Sequence, residues 1–507
     1  MPLDRTRSSR AACLASLLLA AVLLPAAPVW AQAPADAPAD GLAELKRRDA
    51  AMAALIERVE PSVVAVSQYP ADAGAAAVAA RNPDIVINVD PFGAIARPSE
   101  PEPTVVGAGV VVAPGKVLTQ YLVGTGGRVA VTNTAGDRFD ARLLAADPRS
   151  GLAVLDVGEA EGAVAGLTPI PLGRAEDVRK GQSVLVVSNP QAIESDGQPS
   201  ASLGMVTNLA AKLGADINLN DAADAQGGFR STLHHFGTLI QTDARIGYGS
   251  SGGALVNLDG ELVGIITSAA VSAGHESAAG YAIPLSPPIR RVLEALLEGR
   301  EAEYGLLGIQ FNALSTSATA AGEAGVAVDR TFPGSPAAAA GLIPGDVIVE
   351  VAGERIDSPD RLQLVVQGLG PGAQAPVEFF RNSTRKQTVV ALGKATVQGR
   401  VVVTNRPPAW RGIRVDYATA LAAEELNQAT QMGLIDPEGC VLVSDVDPES
   451  GSWEAGVRPG MFVSHVGETR VSTPAEFAAA TAAADASVKL RFTQQVQPPE
   501  AGGLRTF

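Results

Sequence analysis

The residues best suited to chemistry lie in one stretch, Gln241-Thr242-Asp243-Ala244-Arg245-Ile246-Gly247-Tyr248-Gly249-Ser250-Ser251-Gly252-Gly253-Ala254. A serine flanked by glycines on a tight loop holds its hydroxyl clear of the backbone, because glycine enters left-handed conformations without steric cost. With the Ser251 hydroxyl as nucleophile, the N–H groups of Gly249 and Ser251 would converge on one oxyanion, the charge that develops when a carbonyl is attacked. The same Gly-Ser-Ser-Gly-Gly string also describes a plain flexible turn, so its assignment depends on its surroundings.

A serine hydroxyl is a poor nucleophile until a neighbour takes its proton. The sequence offers few bases: its four histidines are His234, His235, His275 and His465. His234-His235 precedes the strand leading to Ser251, and a histidine pair in a loop is expected in solvent, whereas proton transfer needs a ring within about 3 Å of the hydroxyl. Lys116, Lys180 and Lys212 are the amines in this part of the chain. Each sits in a turn-like segment expected to be exposed. Of two cysteines, Cys13 lies in the leader and Cys440 stands alone downstream, so neither a thiolate metal site nor an internal disulfide is expected in the mature chain. No metal or other cofactor is implied.

The elements that must position Ser251 are short and β-branched. Valine-rich runs at 62–66 and 105–112 and strand candidates at 128–132, 152–157, 183–187, 204–208, 237–241 and 262–267 alternate with glycine-containing turns. This pattern predicts two β-barrels or one large sandwich. Residues 71–103, rich in Ala, Pro and Asp, read as a long surface loop. Amphipathic helices are predicted at 41–59 and 287–300, the latter with Ile289, Val292, Leu293, Leu296 and Leu297 on one face. Aromatic residues make up 4% of the 507 residues, so the cores should be built from many small aliphatic side chains.

Arg5, Arg7 and Arg10 followed by an apolar run at 11–24 and the small-residue segment Val29-Trp30-Ala31 read as a secretory leader, too short to span a bilayer comfortably. An uncleaved anchor is the alternative. The net charge of −15 argues against nucleic acid, since phosphate binding needs a dense Lys/Arg face.

The 241–257 stretch resembles the nucleophile loop of the HtrA/Deg family of exported serine proteases, and other segments agree in the family's order. Glu60-Pro61-Ser62-Val63-Val64 resembles the opening strand, Asp147-Pro148-Arg149-Ser150-Gly151-Leu152-Ala153-Val154-Leu155 the region of the catalytic acid, Ser188-Asn189-Pro190 the next turn, and Gly280-Tyr281-Ala282-Ile283-Pro284 the closing strand. The resemblance implies a mainly β protein: a chymotrypsin-like double β-barrel followed by two PDZ domains of α+β type. It also implies a homo-oligomer, a trimer or a multiple of one.

Departures from the family pattern bear directly on the chemistry. The family's histidine follows a Leu-Thr pair shortly afterwards, but the segment here is Leu118-Thr119-Gln120-Tyr121-Leu122-Val123-Gly124. Counting forward places Leu122 at the histidine position, and counting back from Asp147 places Tyr121 there. The acid position before Leu152 is Gly151. Loss of the base alone costs on the order of 10⁶ in turnover in a well-studied protease, and an intact oxyanion hole leaves about 10³–10⁴ over water.

Two later segments repeat one order of features. Leu306-Leu307-Gly308-Ile309 precedes Ala340-Gly341-Leu342-Ile343-Pro344-Gly345-Asp346, and Trp410-Arg411-Gly412-Ile413 precedes Ala455-Gly456-Val457-Arg458-Pro459-Gly460-Met461. Both four-residue segments resemble the PDZ loop whose backbone N–H groups take a peptide's terminal carboxylate while the ligand adds as a strand. Arg411 would support an anionic end in the second. Met461 departs from the acidic residue usual after Pro-Gly, present as Asp346 in the first. The end of the sequence, Arg505-Thr506-Phe507, offers a hydrophobic terminus that would suit such a groove.

The resulting organisation is a signal peptide at 1–31, a linker and helix at 32–60, a trypsin-like domain at 61–285, a connecting helix at 286–303, PDZ repeats at 304–395 and 405–495, and a tail at 496–507. The expected function is that of an exported, catalytically impaired HtrA-like protein, binding unfolded proteins or hydrophobic C-terminal peptides in the cell envelope, alone or with an active relative. Two alternatives stand beside it: an endopeptidase using Ser251 with an unorthodox base, and a structural scaffold.

Overall fold

Valine-rich runs become strands here because β-branched side chains suit a pleated surface that is covered on both faces. The computed structural model describes residues 39–70, 103–158, 166–189, 199–212, 232–247, 249–267, 280–313, 324–483, 488–493 and 504–506. The leader, most of the 71–103 loop, His275 and Phe507 lie outside the described residues.

The first barrel is built from β1 (Val63–Tyr69), β2 (Val105–Ala113), β3 (Lys116–Gln120), β4 (Arg128–Thr132), β5 (Arg138–Asp147) and β6 (Leu152–Asp156). Its order is β5-β4-β1-β2-β3-β6, and β5 also pairs with β6, which closes it. Val64, Val66, Val111, Val117, Val131 and Leu155 fill the interior. The second barrel uses β7 (Ser183–Ser188), β8 (Ser200–Ala211), β9 (Leu239–Thr242), β10 (Ala254–Val256), β11 (Leu262–Thr267) and β12 (Gly280–Pro284), closed in the order β10-β11-β12-β9-β8-β7. Two barrels, not a sandwich, are therefore formed. Their cores hold small aliphatic side chains, as the composition requires.

Helix α1 (Ala39–Val59) precedes the first barrel, α2 (Tyr121–Gly124) is a single turn after β3, and α3 (Pro287–Leu297) follows the second barrel. Proline at the start of α3 fits a position whose N–H has no helical partner. Ile289, Val292, Leu293 and Leu296 are buried along one face.

The remaining chain forms two sheets of one topology. The first repeat has β13 (Tyr304–Leu306), β14 (Ile309–Ala313), β15 (Val326–Thr331), helix α4 (Pro336–Ala339), β16 (Val347–Val351), β17 (Glu354–Arg355), α5 (Pro359–Leu369), β18 (Gln374–Arg381), β19 (Thr384–Ala391) and β20 (Gly393–Ala395). Its sheet runs β14-β15-β16-β18-β19 with β17 on β16, while β13 pairs with β20. After β21 (Val402–Val403), the second repeat has β22 (Ile413–Tyr417), α6 (Ala423–Gln431), β23 (Val441–Val446), α7 (Gly451–Glu454), β24 (Phe462–Val466), β25 (Thr469–Arg470), α8 (Pro474–Ala482), β26 (Lys489–Phe492) and β27 (Leu504–Thr506). Its sheet runs β22-β23-β24-β26-β27 with β25 on β24, strand for strand the order of the first.

The backbone of 504–506 pairs with β26, at the edge of the sheet away from β22, while Phe507, the residue expected to suit a groove, lies outside the described residues.

The segment between the repeats is not a loose tether. β21 adds to β5 of the first barrel, Val402 opposite Ala146 and Val403 opposite Ala145. Thr404 Oγ1 donates to the Leu144 carbonyl at 2.8 Å.

Candidate functional site

Three loops bring together the positions singled out in the sequence. The Ser251 loop is built as a nucleophile loop needs. Gly249 and Gly252 take φ of 81° and 89°, in the left-handed region, and a Cβ on Gly252 would collide with the Ala108 carbonyl and the Thr119 hydroxyl. The loop is seated on the first barrel by a hydrogen bond from the Ala108 N–H to the Ser251 carbonyl, 2.8 Å. Thr119 Oγ1 donates to the Ala108 carbonyl at 2.7 Å, and the Ser250 hydroxyl meets Ser188 Oγ at 3.1 Å. Ser251 is 9% exposed.

Helix α2 carries both residues that count as the histidine position. It lies close to Ser251 across Gly107, where a Cβ would stand 2.7 Å from Val123 and 2.9 Å from the Ser251 carbonyl. Tyr121 is buried, its side chain packed with Ala146 and Ala153, and its hydroxyl donates to the Arg400 carbonyl at 2.9 Å. Leu122 packs half-buried against the same cluster. Its side chain has no group that accepts a proton.

Gly151 is joined to α2 by a hydrogen bond from the Tyr121 N–H to the Gly151 carbonyl, 2.8 Å. Its φ is 74°, and a Cβ there would stand 2.7 Å from His234 Nε2. The imidazole of His234 thus fills the space a side chain at 151 would need. His234 and His235 are 1% and 3% exposed, which corrects the expectation of solvated loop histidines. They lie in a short 3₁₀ turn, Leu233–Phe236, whose Leu233 N–H bonds to the Arg149 carbonyl. Neither ring nitrogen of His234 has a hydrogen-bond partner among the described residues. Burial, with lesser contributions from His235 and Arg149, pushes its pKa down to about 3, so the ring is neutral. Of the lysines, Lys180 and Lys212 are exposed as expected, whereas Lys116 lies at the start of β3, half-buried and paired with Asp156 at 2.9 Å.

The 147–151 turn is held from several sides. Asp147 is buried and accepts from Tyr304 Oη at 2.5 Å and from the Ser150 N–H at 2.8 Å. Burial raises its pKa despite these donors, and burial together with the neighbouring carboxylate carries Tyr304 well above the usual phenol range. Arg149 donates to Gln367 of α5 at 2.7 Å and lies over the Phe236 ring. The first repeat is thereby joined to the place where a triad acid would sit.

The two loops read as carboxylate-binding share one construction. Gly308 has φ 75°, and a Cβ there would stand 2.5 Å from Cβ of Ser335, the N-cap of α4; Gly412 has φ 83° and meets Ser450, the N-cap of α7, in the same way. They differ in what the loop does with its own groups. In the second, Trp410 and Ile413 exchange backbone hydrogen bonds of 2.9 and 2.8 Å, and the Trp410 ring stands edge-on to Phe477 of α8, centroids 5.9 Å apart. Arg411 lies over the Trp410 ring, 4.9 Å from its centroid, with φ 49°. In the first, Leu306, Leu307, Gly308 and Ile309 line a cavity of about 550 Å³ between β14 and α5. Asp346 is fully buried, with Arg381 bound to both carboxylate oxygens at 2.7 and 2.8 Å; Met461, its counterpart, packs against the second repeat's core.

Comparison with known proteins agrees with this architecture. A family described as a trypsin-like peptidase domain matches residues 107–265, and one described as a PDZ domain matches 332–375. A relative from Brucella suis biovar 1, named "Probable periplasmic serine endoprotease DegP-like", is 29% identical over 79% of this chain and 73% of its own. Over most of its length the chain is similar to proteases of the HtrA/Deg type. Another HtrA/Deg relative, "Periplasmic pH-dependent serine endoprotease DegQ" of Escherichia coli K12, is 28% identical over 76% of this chain and 78% of its own. A solved "HtrA-type protease AlgW with decapeptide" is 25% identical over 70% of this chain and 98% of its own, with a TM-score of 0.48.

The histidines of the 3₁₀ turn are what sequence reasoning missed. Their presence was visible, but their burial depends on a turn far along the chain folding back onto Gly151.

Proposed function

We propose that this chain is an exported, periplasmic HtrA-type protein whose serine site is impaired and whose output is the binding of unfolded proteins or hydrophobic C-terminal peptides, as a holdase or adaptor. The observation that carries this is at Gly151. The position that would orient and charge-stabilise a histidine has no side chain, and a neutral imidazole occupies its space. Leu122 and Tyr121 stand at the two candidate base positions, and neither side chain is an imidazole of the kind that takes a serine's proton in a triad.

The loop around Ser251 retains the glycines that aim an oxyanion hole at Gly249 and Ser251, which fits descent from a protease. An endopeptidase working through His234 is less well supported, because a ring with pKa about 3 is a weak base at neutral pH. Peptide binding is assigned to Leu306, Leu307, Gly308 and Ile309, whose cavity is bounded by the edge strand β14. The segment Trp410, Arg411, Gly412 and Ile413 is the second candidate. Assembly as a homo-oligomer, a trimer or a multiple of one, and pairing with an active relative belong to the same proposal.

The deciding experiment treats purified mature protein with a fluorophosphonate probe and with unfolded casein, beside Ser251→Ala. Absence of labelling and cleavage is expected. Labelling or cleavage that disappears in Ser251→Ala overturns impairment.

A further inference from the structure

The groove of the first repeat has a wall from the second. Leu307 and Ile309 of the loop, Phe311 of β14, and Leu362 and Val366 of α5 line one side of the 550 Å³ cavity. The far side is formed by the 395–399 segment and by Thr419, Leu421, Ala422 and Leu426, ahead of and within α6 of the second repeat. Among the described residues β14 pairs only with β15, so its outer edge offers backbone groups to an added strand. The far wall stands at the loop end of the groove, since β20, which leads into 395–399, pairs with β13 immediately before the loop.

This wall is fixed in place. Lys394, 6% exposed, binds Asp416 at 2.7 Å, Glu301 at 2.9 Å and Glu303 at 3.2 Å. Burial works against its charge, but the three carboxylates outweigh it and hold the amine protonated above its ordinary range. Thr419 Oγ1 accepts from the Lys394 N–H and donates to the Lys394 carbonyl, both at 2.9 Å. A Cβ on Gly334 would stand 3.1 Å from Ile435, a further contact between the repeats.

We propose that Leu421 and Leu426 of the second repeat are specificity-determining residues of the first repeat's groove, selecting ligands that end in a bulky apolar residue with a free carboxylate. The proposal rests on the peptide-binding function proposed above. A cavity of this volume is within the range of small-ligand sites and holds more than one small side chain. The apolar far wall rewards a long aliphatic or aromatic terminal residue, while a short one leaves it unfilled. The second repeat, whose own loop is closed by the Trp410–Ile413 pair and the Trp410–Phe477 contact, thereby contributes to recognition through its flank.

The test uses the full mature chain and fluorescence anisotropy with two dye-labelled decapeptides differing only in a final Phe or Val, plus the amidated Phe peptide. Leu426→Ala removes part of the wall. Ala422→Trp, at an exposed position lining the cavity, fills it without touching either core. Wild type is expected to prefer Phe over Val and to bind the amide weakly. Each variant should reduce the Phe/Val ratio roughly 5- to 50-fold. An unchanged ratio in both variants overturns the shared wall and leaves peptide binding standing. If wild type binds none of the peptides, peptide binding itself falls, and the wall with it.

Discussion

His234 Nε2 stands 2.7 Å from the point where a side chain at Gly151 would begin. Glycine at 151 and histidine at 234 are therefore one arrangement: the left-handed φ of 74° favours glycine, and the buried ring fills the room glycine leaves. Putting an acid back at 151 must displace the ring and strain the backbone together.

Gly151→Asp should destabilise the protein by about 2–3 kcal/mol through overpacking and an unfavourable backbone angle. Adding His234→Ala should recover at least part of that loss. Urea unfolding of the single and double variants measures both. The change Leu122→His with Gly151→Asp, made without altering His234, should leave fluorophosphonate labelling at the level of the parent.

Acid should weaken the fold through His234. Its folded pKa of about 3 lies below the ordinary value of 6.5, so between these pH values the unfolded chain binds the extra proton. Stability linked to this ring is complete above about pH 6.5 and falls on acidification towards pH 3, by roughly 3–5 kcal/mol in all. Urea midpoints at pH 7 and 4.5 should differ more for the wild type than for His234→Leu, which has no ring to titrate. Equal differences would remove the assignment.

Tyr304→Phe should cost about 2 kcal/mol, because it takes one of the donors from a carboxylate that has no access to water. Tyr121→Phe should cost about 1 kcal/mol, since its hydroxyl donates to a neutral main-chain carbonyl. Thermal melts of the two variants should preserve that order.

The two glycine loops should separate in function. Gly308→Ala and Gly412→Ala both force a methyl group against an N-cap serine at positive φ and should each lower stability by about 1–3 kcal/mol. Only Gly308→Ala should weaken binding of the Phe-ended peptide, by more than about tenfold, because the second loop spends its Ile413 N–H on Trp410. Anisotropy titrations of both variants check this.

Much of the fold was legible because its strands are β-branched runs whose periodicity is local: β4 and β11 have the bounds the sequence predicts, and the repeated Gly-containing loops announce the two sheets. The positions proposed for the triad partners were read from local register within Leu118–Gly124 and Asp147–Leu155, where two counts give Leu122 or Tyr121. The surroundings of Gly151 were not. A histidine pair with no apolar periodicity gives no sign of burial, which follows from the packing of a 3₁₀ turn on Arg149 and Phe236. β21 was invisible too, since two valines carry no strand signal until β5 presents an edge. The far wall of the first groove depends on how the repeats dock, which no local pattern encodes.

The stretch around β21 also decides how the molecule can be taken apart. Gly399 touches Pro148, Arg400 receives the Tyr121 hydroxyl, Val402 and Val403 lie in the barrel's ladder, and Thr404 reaches Leu144. A fragment trimmed back to the end of the first repeat would lose the second repeat and, with it, a piece of the barrel's own coat, uncovering a buried phenol beside the serine loop. Dissection at that boundary therefore yields a wounded protease domain, and differences between such a fragment and the whole chain report on the barrel as much as on the repeat removed.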